Sequence, residues 1–182
     1  MTKLYALIIF IILSPILILT YLLILLIDGS PVVILSKRIG KNRKIFLMPK
    51  FRTMKVNTPQ VATHKLKNVE EYYIPFGKVL RNLSLDELPQ ILSVIKGDMI
   101  FIGPRPALYN QLDLVKMREK YGINDLIPGI TGWAQVNGRD ENNLIKKVEL
   151  ERYYLKNKSI ILDLKIILLT LIKVILRNDI KH

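Results

Sequence analysis

The chain has no cysteine, which excludes disulfides, thiolate metal sites and a cysteine nucleophile. It has two histidines, His64 and His182, too few for a multi-histidine metal site and a poor basis for a Ser-His-Asp triad. Acidic residues are scarce. Asp and Glu total 15 against 28 Lys and Arg, so the 182-residue chain carries a net charge of +13. Such a chain seeks an anionic partner: nucleic acid, a phospholipid surface or a phosphorylated substrate. Neither the Walker lysine pattern nor G-x-G-x-x-G occurs, so the usual phosphate loops do not apply. There is no internal repeat and no low-complexity linker. Apolar residues, in contrast, are abundant: 50% of the chain is hydrophobic and the mean hydropathy is +0.26. That excludes a disordered protein and is high for a purely water-soluble domain. The length fits one compact domain with one appendage.

Residues 4–27 are almost entirely aliphatic, about the ~20 residues a bilayer span requires. The flanks lack the n-region and cleavage site of a signal peptide. Ser14-Pro15 sits at the centre, where proline removes a donor and predicts a kink or break. Lys3 precedes the segment, and Lys37, Arg38, Lys41, Arg43 and Lys44 follow it. Basic flanks favour the cytoplasmic side. Charge and proline leave two forms open: a kinked span, and a helix that dips into one leaflet and returns.

From Gly29 to Val69 there are ten basic residues and no acidic one. Residues 31–35 and 45–48 read as short strands and 57–67 as a polar loop. A helix is expected over 84–95, stopped by Gly97. Further helices are expected over 107–121 and 144–154, with loop or turn over 128–139. Residues 159–177 are apolar but carry Asp163, Thr170, Lys173 and Arg177 at helical spacing. That pattern argues against a second span. It suits an amphipathic helix lying in the membrane interface, or one packed on the domain's own core.

Three segments could carry chemistry. In Ser84-Leu85-Asp86-Glu87-Leu88-Pro89-Gln90, adjacent carboxylates sit at an expected helix start. Ser84 and Glu87 have capping-box spacing, which by itself explains both acids. The sharper alternative makes Asp86 a nucleophile, with Lys78 and Arg81 upstream to hold phosphate oxygens. Pro89 predicts distorted backbone nearby. Arg105 lies between Pro104 and Pro106, which present its guanidinium at low entropic cost for bidentate phosphate binding. The run from Pro128 through Gly129, Gly132, Trp133, Gln135 and Gly138 to Arg139 either lets backbone approach a ligand or forms a tight turn around a buried Trp. A fourth, basic cluster, including Lys50 and Arg52, also suits a flank against anionic lipid.

Together these strings resemble the bacterial sugar transferase family, the small monotopic phosphoglycosyl transferases that act on polyprenyl phosphate. The resemblance runs from about Ser14-Pro15 to Lys173. It rests on Lys50-Phe51-Arg52-Thr53-Met54, Ser84 to Gln90, Lys96-Gly97-Asp98-Met99, Ile102-Gly103-Pro104-Arg105-Pro106, and Pro128 to Arg139, five strings in one order. It implies an α+β, mainly helical fold. Residues 1–28 would form a re-entrant membrane helix broken at Ser14 and Pro15. Residues 29–182 would form a compact cytosolic phosphoglycosyl transferase domain with a small β element and a C-terminal interfacial amphipathic helix.

The resemblance also implies chemistry. Asp86 and Glu87 would be a catalytic dyad. Asp86 would attack the sugar-linked phosphate of a UDP-sugar, release UMP and hold a covalent phosphosugar, which polyprenyl (undecaprenyl) phosphate then takes. Glu87 would bind Mg²⁺. Arg105 would sit at the nucleotide, Arg81 and Arg139 at phosphates, and Lys50 and Arg52 among the substrate-binding groups. Partners would be the UDP-sugar, polyprenyl phosphate and membrane phospholipid, at the bacterial inner membrane facing the cytosol, with no nucleic acid beyond the donor's nucleotide. There are departures. Against the resemblance, the short N-terminus without an additional multi-span domain looks like a minimal form. Glu151 stands where relatives often have Asp, and Ile127 replaces a basic residue, which bears on sugar preference. The competing class is a membrane-tethered scaffold holding anionic lipid or nucleic acid. It accounts for the charge but not for the adjacent carboxylates or for Pro-Arg-Pro.

Overall fold

The computed structural model describes residues 2–59, 68–138 and 143–176. The aliphatic segment forms one helix, α1 (Thr2–Asp28), which continues through Ser14-Pro15 where a break was expected. The reason is local. Pro15 cannot donate to the Ile11 carbonyl one turn back. The Ser14 hydroxyl donates to that carbonyl instead, at 2.7 Å, so the helix passes the proline without an orphaned acceptor. α1 is long and apolar enough to cross a membrane by length and composition. Ile11, Ile12, Leu19 and Leu26 stand exposed along it.

Both halves of α1 nevertheless pack on the same body. Ala6 joins Phe46, Met48, Ile91, Val94 and Met99 in one apolar cluster, with Ile9 and Phe10 against it. Ile24 joins Val32, Phe51, Ile74 and Leu80 in another, with Leu17 against it. At the start, Lys3 Nζ donates to the Lys96 carbonyl at 3.3 Å. At the end, Asp28 pairs with Arg52 at 2.8 Å.

An antiparallel hairpin follows: β1 (Val33–Ile39) and β2 (Ile45–Phe51), in register from Val33 opposite Phe51 to Ile39 opposite Ile45. Its turn carries Asn42 and Arg43 in left-handed conformation. The strands are longer than the apolar runs suggested, because Ser36, Lys37 and Arg38 continue the ladder. α2 (Gly77–Asn82), a 3₁₀ stretch over Leu85–Gln90 and α3 (Ile91–Lys96) come next. Gly97, at φ +98°, ends α3 as anticipated.

β3 (Ile100–Ile102) and β4 (Gly129–Thr131) form a short parallel pair. β4 and α5 (Trp133–Asn137) therefore occupy the segment expected to be loop. Between them, α4 (Leu112–Glu119) is shorter than the helix expected over 107–121. Residues ahead of it are drawn onto β1 instead: the Ile39 amide donates to the Ala107 carbonyl at 2.9 Å. α6 (Leu144–Asn157) is capped by Asn143, whose side chain accepts from the Lys146 amide.

α7 (Ile160–Leu176) buries Leu162 and Ile166. Two members of its polar stripe turn inward. Asp163 accepts from the Tyr154 hydroxyl at 2.8 Å, and Thr170 lies 2.8 Å from the Thr131 hydroxyl. The helix thus spends part of its polarity on the domain and leaves Ile160, Ile161, Leu164, Leu168 and Leu171 exposed.

Candidate active site

Three elements converge on the paired carboxylates. α2 sits tightly against the Lys50-to-Met54 segment, because a Cβ on Gly77 would fall 2.2 Å from the Thr53 carbonyl oxygen. That closeness brings Arg81 to the Met54 sulfur at 3.7 Å and over the Tyr73 ring at 5.8 Å. The chain then turns at Ser84, which is left-handed at φ +56°. Asp86 and Glu87 follow in 3₁₀ geometry rather than an α-helix, with Pro89 inside the stretch. Proline cannot supply the amide an α-helical turn would use there. The expected capping box does not form: Ser84 makes no side-chain cap.

Glu87 is engaged elsewhere. Its carboxylate accepts from Lys50 of β2 at 2.8 Å and from both terminal nitrogens of Arg105, one of them at 3.1 Å. Burial alone would raise its pKa. The Arg105 guanidinium and the Lys50 ammonium outweigh burial and hold the carboxyl well below the usual carboxylate range. Lys50 is shifted down in turn, first by burial and then by Arg105, against the pull of Glu87.

Asp86 is 3% exposed, and its Oδ1 has no hydrogen-bond partner. Burial pushes its pKa up to about 6, helped by the Glu87 charge and opposed by Lys50, Arg81 and Arg105. Two neighbouring carboxylates are thus driven apart. Glu87 is neutralised by fixed cations, and Asp86 is left buried with an unsatisfied oxygen amid positive charge. Environments that drive two neighbouring acids apart in this way recur at functional sites.

The two glycine-bearing strings interlock beside this cluster. A Cβ on Gly129 would lie 2.1 Å from the Gly103 nitrogen, and one on Gly132 would lie 2.1 Å from the Gly103 carbonyl oxygen. Glycine is required here so that two backbones can touch, and the contact holds the Gly103-Pro104-Arg105 turn against β4. Trp133 is not buried in a hairpin. It stacks on Tyr153 at 5.5 Å, with Lys165 over its ring.

Of the residues singled out from sequence, Asp86, Glu87, Lys50, Arg81 and Arg105 come together. Arg52 does not join them. Its guanidinium donates to the Asp28 and Gly29 carbonyls and pairs with the Asp28 carboxylate, tying down the end of α1. Ser14 and Pro15 lie within α1, and Arg139 lies outside the described residues.

Glu151 was singled out from the sequence, but its partner Arg118 was not. Arg118 and Glu151, 4% and 2% exposed, bond through two nitrogens and two oxygens, with Nε donating to Oε2 at 2.8 Å. A signal existed. Arg118 shares the buried face of α4 with Leu114 and Val115, and Glu151 shares that of α6 with Val148 and Tyr154. Opposite charges on two apolar stripes must meet if both helices pack.

The family model described as bacterial sugar transferase matches residues 1–177. The chain belongs to the bacterial sugar transferase family. Among relatives of this sugar transferase, an uncharacterized sugar transferase EpsL of Bacillus subtilis is 40% identical over 169 residues, covering 93% of this chain and 82% of that protein. A UDP-N-acetylgalactosamine-undecaprenyl-phosphate N-acetylgalactosaminephosphotransferase of Aeromonas hydrophila is 37% identical over 87% of the chain, but the match spans only 38% of that longer protein. A UDP-glucose:undecaprenyl-phosphate glucose-1-phosphate transferase of Escherichia coli is 36% identical over 92% of the chain and 38% of its own length.

Proposed function

We propose that this sugar transferase moves a sugar 1-phosphate from a UDP-sugar to undecaprenyl or a similar polyprenyl phosphate, with Asp86 as the nucleophile. The supporting observation is the contrast between Glu87, whose carboxylate is bonded by Lys50 and Arg105, and Asp86, buried with Oδ1 unpaired. An Asp86 carboxylate oxygen attacks the sugar-bearing phosphorus of the donor. The diphosphate anhydride bond breaks, and UMP leaves with the bridging oxygen. The acceptor's phosphate oxygen then attacks the same phosphorus, expelling Asp86 and giving a polyprenyl diphosphate sugar. Splitting the transfer in two spares the site from holding both bulky substrates at once. Arg81 and Arg105 are suited to the donor's phosphate oxygens, because guanidinium groups match phosphate geometry.

A Mg²⁺ ion suits the same place. Among the described residues no group of three or more His, Asp or Glu forms a cage, but Mg²⁺ commonly takes one or two carboxylates plus substrate phosphates. Glu87 would be the protein ligand, exchanging one of its cationic partners for the metal, and the unpaired Asp86 oxygen supports room for a cation. When bound, the ion offsets charge on the diphosphate.

The two-phase substrate pair calls for a site at a membrane face. Anchorage of both ends of α1 on one body, through Lys3 and Asp28, supports a helix whose two ends stay on the same side of the membrane. The exposed apolar face of α7 supports interfacial contact. On this reading the enzyme sits at the cytosolic face of the bacterial inner membrane, in the first membrane step of glycan assembly.

The test is incubation with a panel of UDP-sugars, undecaprenyl phosphate and Mg²⁺. UMP release should occur with wild type and vanish with Asp86→Asn. Intact-protein mass spectrometry with donor alone should show a phosphosugar adduct that the variant lacks. Turnover by a folded Asp86→Asn protein would remove Asp86 as nucleophile.

A further inference from the structure

The turn that carries Arg105 has almost no amides of its own to organise it, since Pro104 and Pro106 lack N–H groups. Its carbonyls are instead taken one after another by outside donors. The Pro104 carbonyl accepts from the Gly129 amide at 2.9 Å. The Arg105 carbonyl accepts from Arg118 Nη2 at 2.8 Å. The Pro106 carbonyl accepts from Arg38 Nη1 at 3.1 Å. The Ala107 carbonyl accepts from the Ile39 amide at 2.9 Å. Arg118 therefore holds the backbone carbonyl of Arg105 itself. Glu151 fixes Arg118 from the far side through the buried double bond described above.

We infer that Arg118, locked by Glu151, is a positioning residue that sets where the Arg105 guanidinium meets Glu87 and the donor's phosphates. A chain of contacts supports it: Glu151 to Arg118, Arg118 to the Arg105 backbone, the Arg105 side chain to Glu87. The anchor fixes the Arg105 backbone, and Glu87 then holds the far end of its side chain. A guanidinium fork can bind a carboxylate through two nitrogens and still offer a proton to a carbonyl, whereas a lysine ammonium offers one point charge. The inference rests on the placement of Arg105 in the reaction centre.

The experiment is a double-mutant cycle on the full chain in lipid nanodiscs. It uses UMP release with the donor that the substrate panel selects. Replacing both partners, Arg118→Met with Glu151→Leu, removes the anchor without leaving a lone buried charge, so the fold should survive. The pair variant should lose about 10- to 100-fold in kcat/KM, as a small misplacement of a binding group does. Its donor KM should rise as it does in Arg105→Ala. A purely structural role would reduce the amount of active enzyme and leave KM unchanged. In the Arg105→Ala background the same pair should cost less than about twofold more, because the group being positioned is gone. Wild-type kinetics in the pair variant, or equal losses in both backgrounds, would overturn the inference. If the apolar pair melts early, Arg118→Lys enters the same cycle with the same expectations. Wild-type kinetics in Arg105→Ala would instead retire Arg105 from the centre, and the inference with it.

Discussion

Asp86 and Glu87 are neighbours in sequence with opposite electrostatic fates, and pH should separate them. The folded pKa of Asp86, about 6, lies above its ordinary 3.8. In its proposed role as nucleophile Asp86 must be ionised, so kcat/KM should climb as pH rises through about 6, a limb that steady-state UMP release will show. The stability consequence has the opposite sign. Between pH 4 and 6 the native state keeps a proton that the unfolded chain has lost, so stability falls as pH rises through this window. Asp86→Asn should therefore raise the melting temperature near pH 7.5, by an amount equivalent to about 1–3 kcal/mol, while abolishing turnover. A melting point below wild type would mean that the nearby cations need the Asp86 charge more than burial penalises it. Glu87 behaves conversely. Its depressed pKa contributes stability above its unfolded value, lost as pH falls towards the folded one. The acids themselves were legible in the sequence, and so was Arg105 between its prolines. Which acid is paired was not, because the cations on Glu87 come from 37 and 18 residues away.

At the scale of elements, glycines and α1 carry the testable consequences. Gly132 touches the Gly103 carbonyl so closely that a Cβ would overlap it. Gly132→Ala should destabilise the protein by about 1–3 kcal/mol and lower activity by shifting the Arg105 turn. A melting curve matching wild type would show that the two backbones can separate at little cost. For α1, the absence of native cysteine makes labelling clean. Single cysteines at Thr2 and Lys41 should react with an impermeant maleimide from the same side of sealed vesicles. Labelling from opposite sides would establish a span. The length and apolarity of α1 follow from its contiguous residues, and so does the expectation of a break at Ser14-Pro15. The outcome at that proline did not: a hydroxyl one residue earlier takes up the orphaned carbonyl, so the helix continues where a break was expected.

The whole molecule combines a net charge of +13 with exposed apolar faces on α1 and α7. These two attractions respond differently to salt. Attraction of basic residues to anionic lipid acts within a Debye length, which shrinks to about 3 Å at 1 M. Apolar burial in the interface is not screened. In vesicle flotation at low salt, anionic membranes should bind more protein than zwitterionic ones. At 1 M NaCl that preference should vanish while binding to both persists. Complete release at high salt would mean that the apolar faces do not insert.

From the sequence alone came the long apolar helix, the basic charge, the paired acids and the arginine between two prolines, because each is written in contiguous residues. Tertiary structure decided what those residues do to one another. It gave Glu87 to Lys50 and Arg105, diverted Arg52 to the end of α1, and joined Arg118 to Glu151 across 33 positions. A charge buried in a folded chain must be neutralised by whatever packing brings near it, and that neighbour is set by three-dimensional contact, not by distance along the sequence.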